Sequence, residues 1–242
     1  MHRALRQHPA VLPAVHHKGV HYFDTNYDNG WNWYVGHYPL RRTAERIGRE
    51  AGARVLTGES SPYYLFHPLA GARIARDLPE ARLIALLRNP TERAYSGHAH
   101  ELSRGFETEP FERALELEES RTAGQQEKLA ADPHYYSFDH QHHSYVARGR
   151  YVEQLERLAG QVGRERILVL DAEQWFTEPE QVFARVLDFL GLPDRHEVRF
   201  GRHNAEQRSP MPESLRRRLD DYYAPYDARL VDWLGDVPRW RR

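Results

Sequence analysis

Arg88 and Ser96 are the residues whose types and spacing most directly suggest chemistry. Arg88 ends the apolar run "RLIALLR" (82–88), and Ser96 follows eight residues later. Asn89 can cap a helix that starts after it, and Pro90 suits the first helical position. Because the amides at a helix start favour an anion, the arginine and the hydroxyl could hold one phosphate between them. The alternative is an arginine paired with a surface carboxylate and a serine that faces solvent.

Short β-rich runs alternate with longer helical patterns along the chain. The predicted strands are 18–24, 54–60, 82–88 and 166–173. The predicted helices are 2–8, 40–52, 68–77, 90–104, 108–121, 149–162, 178–190 and 212–222. This alternation predicts an α/β fold of right-handed βαβ units, with a parallel sheet covered by helices on both faces.

The carboxyl ends of these strands are where a ligand is expected, because open parallel sheets bind ligands at that edge. The polar residues at these ends are His21, Asp24, Glu59, Ser60, Ser61, Arg88, Asp171 and Glu173. We therefore expect these side chains to lie at one common edge of the sheet.

The segment 122–147 breaks the alternation, since it is polar, aromatic and rich in histidine. An insertion of this length is typical of a lid or binding loop, or of a poorly ordered surface loop. Its histidines match no standard zinc spacing. We therefore expect no metal site there.

The bulk composition limits the classes of function. The 242 residues are 40% hydrophobic and 29% charged with a net charge of −1, which favours one globular domain, 1–242, and no nucleic-acid partner. The absence of cysteine excludes disulfides and thiolate metal sites. The sequence has neither a run of about 18 apolar residues nor the apolar core of a signal peptide. We therefore expect no membrane span and a cytoplasmic protein.

An ordered set of motifs resembles the sulfotransferases that use 3′-phosphoadenosine 5′-phosphosulfate (PAPS), most closely the heparan sulfate sulfotransferases and their bacterial relatives. Residues 82–100 resemble the segment that binds the 3′-phosphate of PAPS, an apolar strand followed by Arg-Asn-Pro and then Arg-x-Tyr-Ser. Residues 18–39 resemble the Glu-x-His-Phe-Phe-Asp strand and the helix after it, and 58–68 resemble the Gly-Glu-Lys-Ser-Pro-x-Tyr turn. Further matches follow in family order at 148–158, 166–173, 183–193 and 210–235.

The resemblance implies a fold and a nucleotide site. It implies a P-loop NTPase-like parallel sheet and a sulfuryl donor, PAPS, that serves as co-substrate without a metal. By the same resemblance, Arg88 and Ser96 hold the 3′-phosphate. Gly149 and Tyr151 lie close to the nucleotide, and Arg202 is a candidate phosphate contact in a covering loop.

The catalytic base is less directly implied, because this chain departs from the family pattern. The base of the related polysaccharide enzymes is the glutamate of Glu-x-His-Phe-Phe-Asp, and that position is Gly19 here. His21 keeps the family histidine and can titrate near neutral pH, so it is the candidate base, with Asp24 as its orienter or as an acceptor contact. The alternative is that His21 only points into the site while Asp24 binds backbone at the strand end.

The acceptor is a hydroxyl or an amine by resemblance, and sugar hydroxyls, lipid head groups and small metabolites all remain candidates. Glu59 keeps the acid of the family turn, although the following lysine is Ser60 here. Trp33 could stack on a sugar, with simple packing as the alternative. His142 could contact the acceptor from the 122–147 insertion. These three residues are the candidate acceptor contacts.

The N-terminus departs furthest from the family. Relatives begin with a central strand and a Pro-Lys-x-Gly-Thr-Thr-Ser loop that binds the 5′-phosphosulfate, whereas this sequence begins inside the following helix. We expect that strand and loop to be missing, which would leave unpaired backbone groups in the sheet. The chain would then be a shortened sulfotransferase, or a non-catalytic relative that binds adenosine 3′,5′-bisphosphate or a partner. A nucleotide-dependent kinase is disfavoured because it would need a Walker-type loop.

Overall fold

The computed structural model describes residues 1–15, 18–194, 197–201 and 209–242. Its helices are α1 (His2–Leu5), α2 (Trp31–Val35), α3 (Arg41–Ala51), α4 (Ala70–Asp77), α5 (Pro90–Ser103), α6 (Phe111–Thr122), α7 (Gln125–Ala131), α8 (Phe138–His142), α9 (Tyr151–Val162), α10 (Ala172–Thr177), α11 (Pro179–Leu190) and α12 (Glu213–Leu234). Its strands are β1 (Val11–Pro13), β2 (Leu56–Gly58), β3 (Leu83–Leu87) and β4 (Ile167–Asp171). Within these ranges, no helix combines the length and the apolar character needed to cross a membrane.

The chain forms two compact units. The first unit comprises Met1–Tyr64 and Gln174–Ala205, and the second comprises Leu65–Glu173 and Glu206–Arg242. Each unit contains one parallel pair of strands, β1 with β2 in the first and β3 with β4 in the second. Parallel strands flanked by helices confirm the predicted α/β class. The single domain over 1–242 stays a prediction.

The first unit is built on short strands and one long amphipathic helix. β1 pairs with β2 from Val11–Leu56 to Pro13–Gly58. α11 begins at Pro179 and ends at Gly191, whose φ of 68° suits glycine. Its buried residues are Val182, Phe183, Val186 and Leu187, at the spacing of one helix face. The sequence pattern missed β1 because its three residues are too few to show a period.

The predicted strand at 18–24 is wrong, because this segment runs through turns. Its amides bind side chains instead of a neighbouring strand. Val20 N donates to Glu59 Oε2 at 2.7 Å, and the carbonyl of Val20 accepts from Asn26 Nδ2 at 3.0 Å. The apolar residues Tyr22 and Phe23 are buried nonetheless. The hydrophobic pattern of 18–24 therefore predicts the burial of Tyr22 and Phe23 correctly, but it predicts a strand where the backbone forms turns.

The second unit holds the predicted strand and helix at 82–104. β3 pairs with β4 in register from Leu83–Ile167 to Leu87–Asp171. Asn89 caps α5 because its side chain accepts from Glu92 N at 3.0 Å, and Pro90 occupies the first turn. The structure thus confirms the strand, which ends at Leu87, one residue before its predicted end, and it confirms the helix start.

The segment 122–147 is folded, so its interpretation as a poorly ordered surface loop is wrong. It forms α7 and α8, and its histidines at 140, 142 and 143 are all buried. His142 Nδ1 lies 2.9 Å from Glu101 Oε2, and His143 Nδ1 lies 2.7 Å from Asp139 Oδ1. Carboxylate partners therefore support two of the buried histidines in a segment whose composition resembles that of a loop. In the described ranges, no group of three or more potential ligand side chains could hold a metal ion.

Gly149 packs directly against an aromatic ring of α12. A Cβ atom at this position would lie 2.5–2.6 Å from three atoms of the Tyr223 side chain. Tyr223 is only 1% exposed, and its hydroxyl donates to the carbonyl of Val146 at 3.0 Å, so the ring is fixed. The glycine is therefore required for packing, whatever its relation to a nucleotide.

We expect Gly149→Ala to lower the free energy of unfolding by about 1–3 kcal/mol, the usual cost of overpacking. Gly160→Ala on α9 is the matched control, since no atom lies within 4 Å of its Cβ position. The control should be as stable as the parent protein or up to about 1 kcal/mol more stable. Urea denaturation measures both, and equal stability of the two variants would contradict the packing interpretation.

α12 continues well past its predicted end at 222 and carries a buried carboxylate. Asp227 is 3% exposed, accepts from Trp240 Nε1 at 3.3 Å and lies 3.8 Å from Arg241 Nε. Burial raises the pKa of Asp227 to about 6, against the opposing effects of Arg241 and Trp240. The folded protein therefore binds this proton more tightly than the unfolded chain does.

We expect the Asp227 contribution to the free energy of unfolding to fall as the pH rises from about 4 to about 6, because ionisation is disfavoured in the folded state. Asp227→Asn should remove this decline when its stability is compared with the parent protein across that range. Asp236→Asn, at a carboxylate whose side chain is 78% exposed, is the control. A parent and an Asp227→Asn variant with parallel pH profiles would show that Asp227 ionises freely.

Candidate active site

In the first unit, the turn after β2 holds the backbone around His21. Val20 N and His21 N donate to Glu59 Oε2 at 2.7 and 3.3 Å. Ser61 Oγ accepts from His21 N at 3.0 Å and donates to Glu59 Oε2 at 2.6 Å. His21 has a φ of 55°, the only positive φ of a non-glycine residue in the described ranges. Such a conformation is costly for histidine and persists only where its surroundings impose it.

His21 and Asp24 form a close pair. His21 Nδ1 lies 2.8 Å from Asp24 Oδ2, and the Asp24 side chain is completely buried while that of His21 is 34% exposed. Thr25 N and Oγ1 donate to Asp24 Oδ1 at 2.5 and 3.2 Å. Asp24 is therefore held on both oxygens, and with Nδ1–H donating to it, Nε2 of the imidazole can accept a proton.

Gly19 lies too close to the turn for any side chain. A Cβ atom there would be 2.7 Å from the carbonyl oxygen of Ser60 and 3.3 Å from His21 Nε2. Since the nearest atom is backbone, a glutamate at this position would require the main chain to move.

Aromatic rings pack around the turn that contains His21. Tyr22 stacks on Tyr34 with ring centroids 4.6 Å apart. The ring centroid of Trp33 lies 6.4 Å from that of Tyr22 and 4.3 Å from that of His37. Tyr64 OH donates to Glu59 Oε1 at 2.8 Å. Burial, and then the charge of Glu59, raise the pKa of the Tyr64 phenol. Tyr64 therefore stays protonated and remains a donor to Glu59.

In the second unit, Arg88 follows β3 and is half-buried. Its carbonyl oxygen accepts from Tyr151 OH at 3.1 Å. No described residue pairs with its guanidinium. Burial raises the pKa of Tyr151 to about 12, while Arg93 and Arg88 act in the opposite direction, so both cations lie near this ring. Ser96 is also half-buried on α5, and its hydroxyl has no hydrogen-bond partner among the residues that the structure describes.

Two acidic residues connect the ends of β3 and β4. Asn89 N donates to Glu173 Oε1 at 3.3 Å, and Glu173 N donates to Asp171 Oδ1 at 2.8 Å. Arg239 N donates to Asp171 Oδ2 at 2.7 Å. Burial, followed by a hydrogen bond to Asp171, raises the pKa of Glu173. These carboxylates bind backbone at the edge where the sequence predicted a ligand site.

The predicted site residues thus fall into groups. The first unit brings together His21, Asp24 and Glu59, with Trp33 in the adjoining aromatic cluster. The second unit brings together Arg88 and Tyr151, with Gly149 packed nearby on Tyr223. His142 is 7% exposed and lies 3.4 Å from Tyr136 OH within the second unit. Arg202 lies outside the described residues.

Sequence reasoning placed Ser61 at a strand end without linking it to Glu59, and it did not single out Tyr64. Ser61 and Tyr64 stand two and five residues after Glu59, and both donate to its carboxylate. The available signal was a carboxylate followed closely by several hydroxyl side chains in "GESSPYY". That signal is weak, because such residues are equally common in exposed turns.

Comparison with known proteins identifies relatives along nearly the whole chain. The family model described as "Sulfotransferase domain" matches residues 15–209. The membrane-associated sulfotransferase kil1 of Dictyostelium discoideum is 24% identical, over 98% of this chain and 62% of that protein. The human heparan sulfate glucosamine 3-O-sulfotransferase 3B1 is 26% identical, over 98% of this chain and 61% of that protein. The chain therefore spans about three fifths of the length of these two relatives.

A solved structure agrees with these sequence matches. The crystal structure of a sulfotransferase from Alicyclobacillus acidocaldarius is 28% identical, with a TM-score of 0.68, and the alignment covers 99% of this chain and 92% of that one. The order of motifs in the sequence is thereby explained. Since the family model covers most of the sequence, the chain belongs to the sulfotransferase domain family.

Proposed function

We propose that this chain transfers a sulfuryl group from PAPS to a hydroxyl or amine acceptor. The observation that carries the proposal is Arg88, a half-buried residue directly after β3 whose guanidinium has no partner among the described residues. An unpaired guanidinium at the edge where parallel sheets bind ligands favours an oxyanion at that position.

The nucleotide contacts follow from the same edge. Arg88 would bind the 3′-phosphate through its planar fork, and Ser96 would donate its hydroxyl to the same group. Tyr151 holds the main chain of Arg88 in place through its 3.1 Å hydrogen bond. Gly149 keeps the turn before Tyr151 close to α12, and Arg202 remains a predicted phosphate contact.

His21 would remove the acceptor's proton during transfer. Asp24 holds Nδ1, so Nε2 is the atom that receives the proton, and the resulting imidazolium is stabilised by the buried carboxylate. The acceptor oxygen or nitrogen bonds to sulfur while the bond from sulfur to the phosphate oxygen breaks in line. A sulfuryl group carries less charge than a phosphoryl group, so the step needs no metal.

The acceptor class is proposed from the relatives. Two human relatives are heparan sulfate glucosamine 3-O-sulfotransferases, which favours a carbohydrate acceptor here as well. Trp33 and His142 remain predicted acceptor contacts, and lipid head groups and small metabolites remain alternative acceptors. We propose the cytoplasm as the compartment.

One observation favours a second candidate function, a non-catalytic domain that binds adenosine 3′,5′-bisphosphate. The position of the family's glutamate base is Gly19, where a Cβ atom would lie 2.7 Å from the Ser60 carbonyl. A chain without a working base would bind the nucleotide and transfer nothing. Turnover that depends on His21 would decide for the enzyme, whereas tight nucleotide binding without any turnover would decide for the binding domain.

We expect Arg88→Ala to weaken the binding of adenosine 3′,5′-bisphosphate by about 1.5–3 kcal/mol, the scale of a hydrogen bond to a charged group. Isothermal titration calorimetry measures the affinity. Arg217→Ala is the matched control, because Arg217 is a mostly exposed arginine beside Glu213 on α12. Equal affinities for the parent and Arg88→Ala proteins would exclude Arg88 from the site.

We expect His21→Ala to lower turnover about 100-fold or more, the contribution of a general base. Turnover of the parent protein should rise with pH as the base loses its proton and then level off, and the variant should lose this dependence. Initial rates of sulfate transfer from PAPS, measured across pH, test the expectation. His100→Ala, at an exposed histidine of α5, is the control. An unchanged pH profile in His21→Ala would exclude His21 as the base.

A further inference from the structure

The unusual conformation of His21 needs a cause, because its φ of 55° is the only such value for a non-glycine residue in the described ranges. Hydrogen bonds hold this residue both at its backbone N–H and at its side chain. Its backbone N–H is directed at Glu59 Oε2 and Ser61 Oγ, while its Nδ1 is directed at Asp24 Oδ2. A histidine free to relax to an ordinary φ would swing its N–H away from these acceptors.

Glu59 is the centre of this arrangement. Its Oε2 accepts from Val20 N, His21 N and Ser61 Oγ at 2.7, 3.3 and 2.6 Å. Its Oε1 accepts from Tyr64 OH at 2.8 Å. Two carboxylate oxygens offer about four acceptor sites, and protein donors therefore occupy this carboxylate.

The same contacts argue against a role for Glu59 in binding the acceptor directly. A carboxylate that bound the acceptor would have to give up one of these donors, two of which are backbone amides beside the candidate base. Tyr64 also links the carboxylate to the next turn, since its hydroxyl oxygen accepts from Phe23 N at 3.2 Å. Glu59 therefore holds the amides of Val20 and His21 directly, and it holds the amide of Phe23 through Tyr64.

We propose that Glu59 is a positioning residue, which acts through the backbone of His21 to aim the imidazole. The inference rests on the proposed function, in which His21 is the base. Ser61 extends the effect, because it accepts from His21 N and donates to Glu59 at the same time. Glu59 thus contributes to proton removal without touching the acceptor.

A double-mutant cycle tests this proposal. Glu59→Ala should lower kcat about 10- to 100-fold, the effect of misplacing a catalytic group, while KM for PAPS changes less than about twofold. In a His21→Ala background, Glu59→Ala should change kcat less than about twofold, because the group it positions is gone. Glu59→Gln should retain most activity, since its amide oxygen can still accept from the two backbone amides.

The control and the contrary results separate this inference from the proposed function. Glu45→Ala, at a half-exposed glutamate of α3 that pairs with Arg41, should change neither kcat nor the pH profile. The same fold-loss from Glu59→Ala in both backgrounds would overturn the positioning role and leave His21 as the base. A His21→Ala protein with undiminished turnover would instead exclude His21 as the base, and a parent protein that binds the nucleotide without any turnover would overturn the proposed function.

A spectroscopic measurement decides the matter independently of turnover. With histidines labelled with nitrogen-15, the His21 ring should show a single tautomer with the proton on Nδ1, as its bond to Asp24 requires. Glu59→Ala should convert this signal to mixed tautomers, while Glu59→Gln and Glu45→Ala preserve it. A His21 signal unchanged in a folded Glu59→Ala protein would overturn the proposal.

Discussion

Buried backbone amides outside a strand ladder must still find acceptors, and this constraint shapes both groups of candidate site residues. In the first unit, Glu59 accepts from Val20 N and His21 N. In the second unit, Glu173 accepts from Asn89 N, and Asp171 accepts from Arg239 N. The carboxylates at the strand ends are therefore engaged by the main chain, and their position in the sequence is explained by this structural role.

The groups that remain for chemistry are then few. His21 directs Nδ1 at Asp24, and no described residue pairs with the guanidinium of Arg88. One of these residues suits a proton and the other an anion. In each unit the carboxylates bind the main chain, which accounts for the acidic residues beside His21 in the first unit and beside Arg88 in the second.

The sequence predicted the elements whose signals are local. The strand β3, the cap at Asn89 and the start of α5 follow from an apolar run, an Asn-Pro pair and a helical period. The segment 18–24 was predicted incorrectly because hydrophobic alternation indicates which residues are buried and not which group accepts each amide. The helices between 122 and 147 were missed for a related reason, since histidines that are buried with carboxylate partners have the same composition as a solvated loop.

The need for glycine at position 19 and the orientation of His21 both depend on one hydrogen bond. Ser60 N donates to the carbonyl of Lys18 at 2.9 Å, which draws the turn after β2 against this segment. That approach places the Ser60 carbonyl 2.7 Å from where a Cβ of residue 19 would lie, so only glycine fits. The same approach brings the carboxylate of Glu59 within reach of the amide of His21. The turn that orients the histidine therefore excludes a glutamate two residues earlier, and in this backbone a base at 21 and a base at 19 are mutually exclusive.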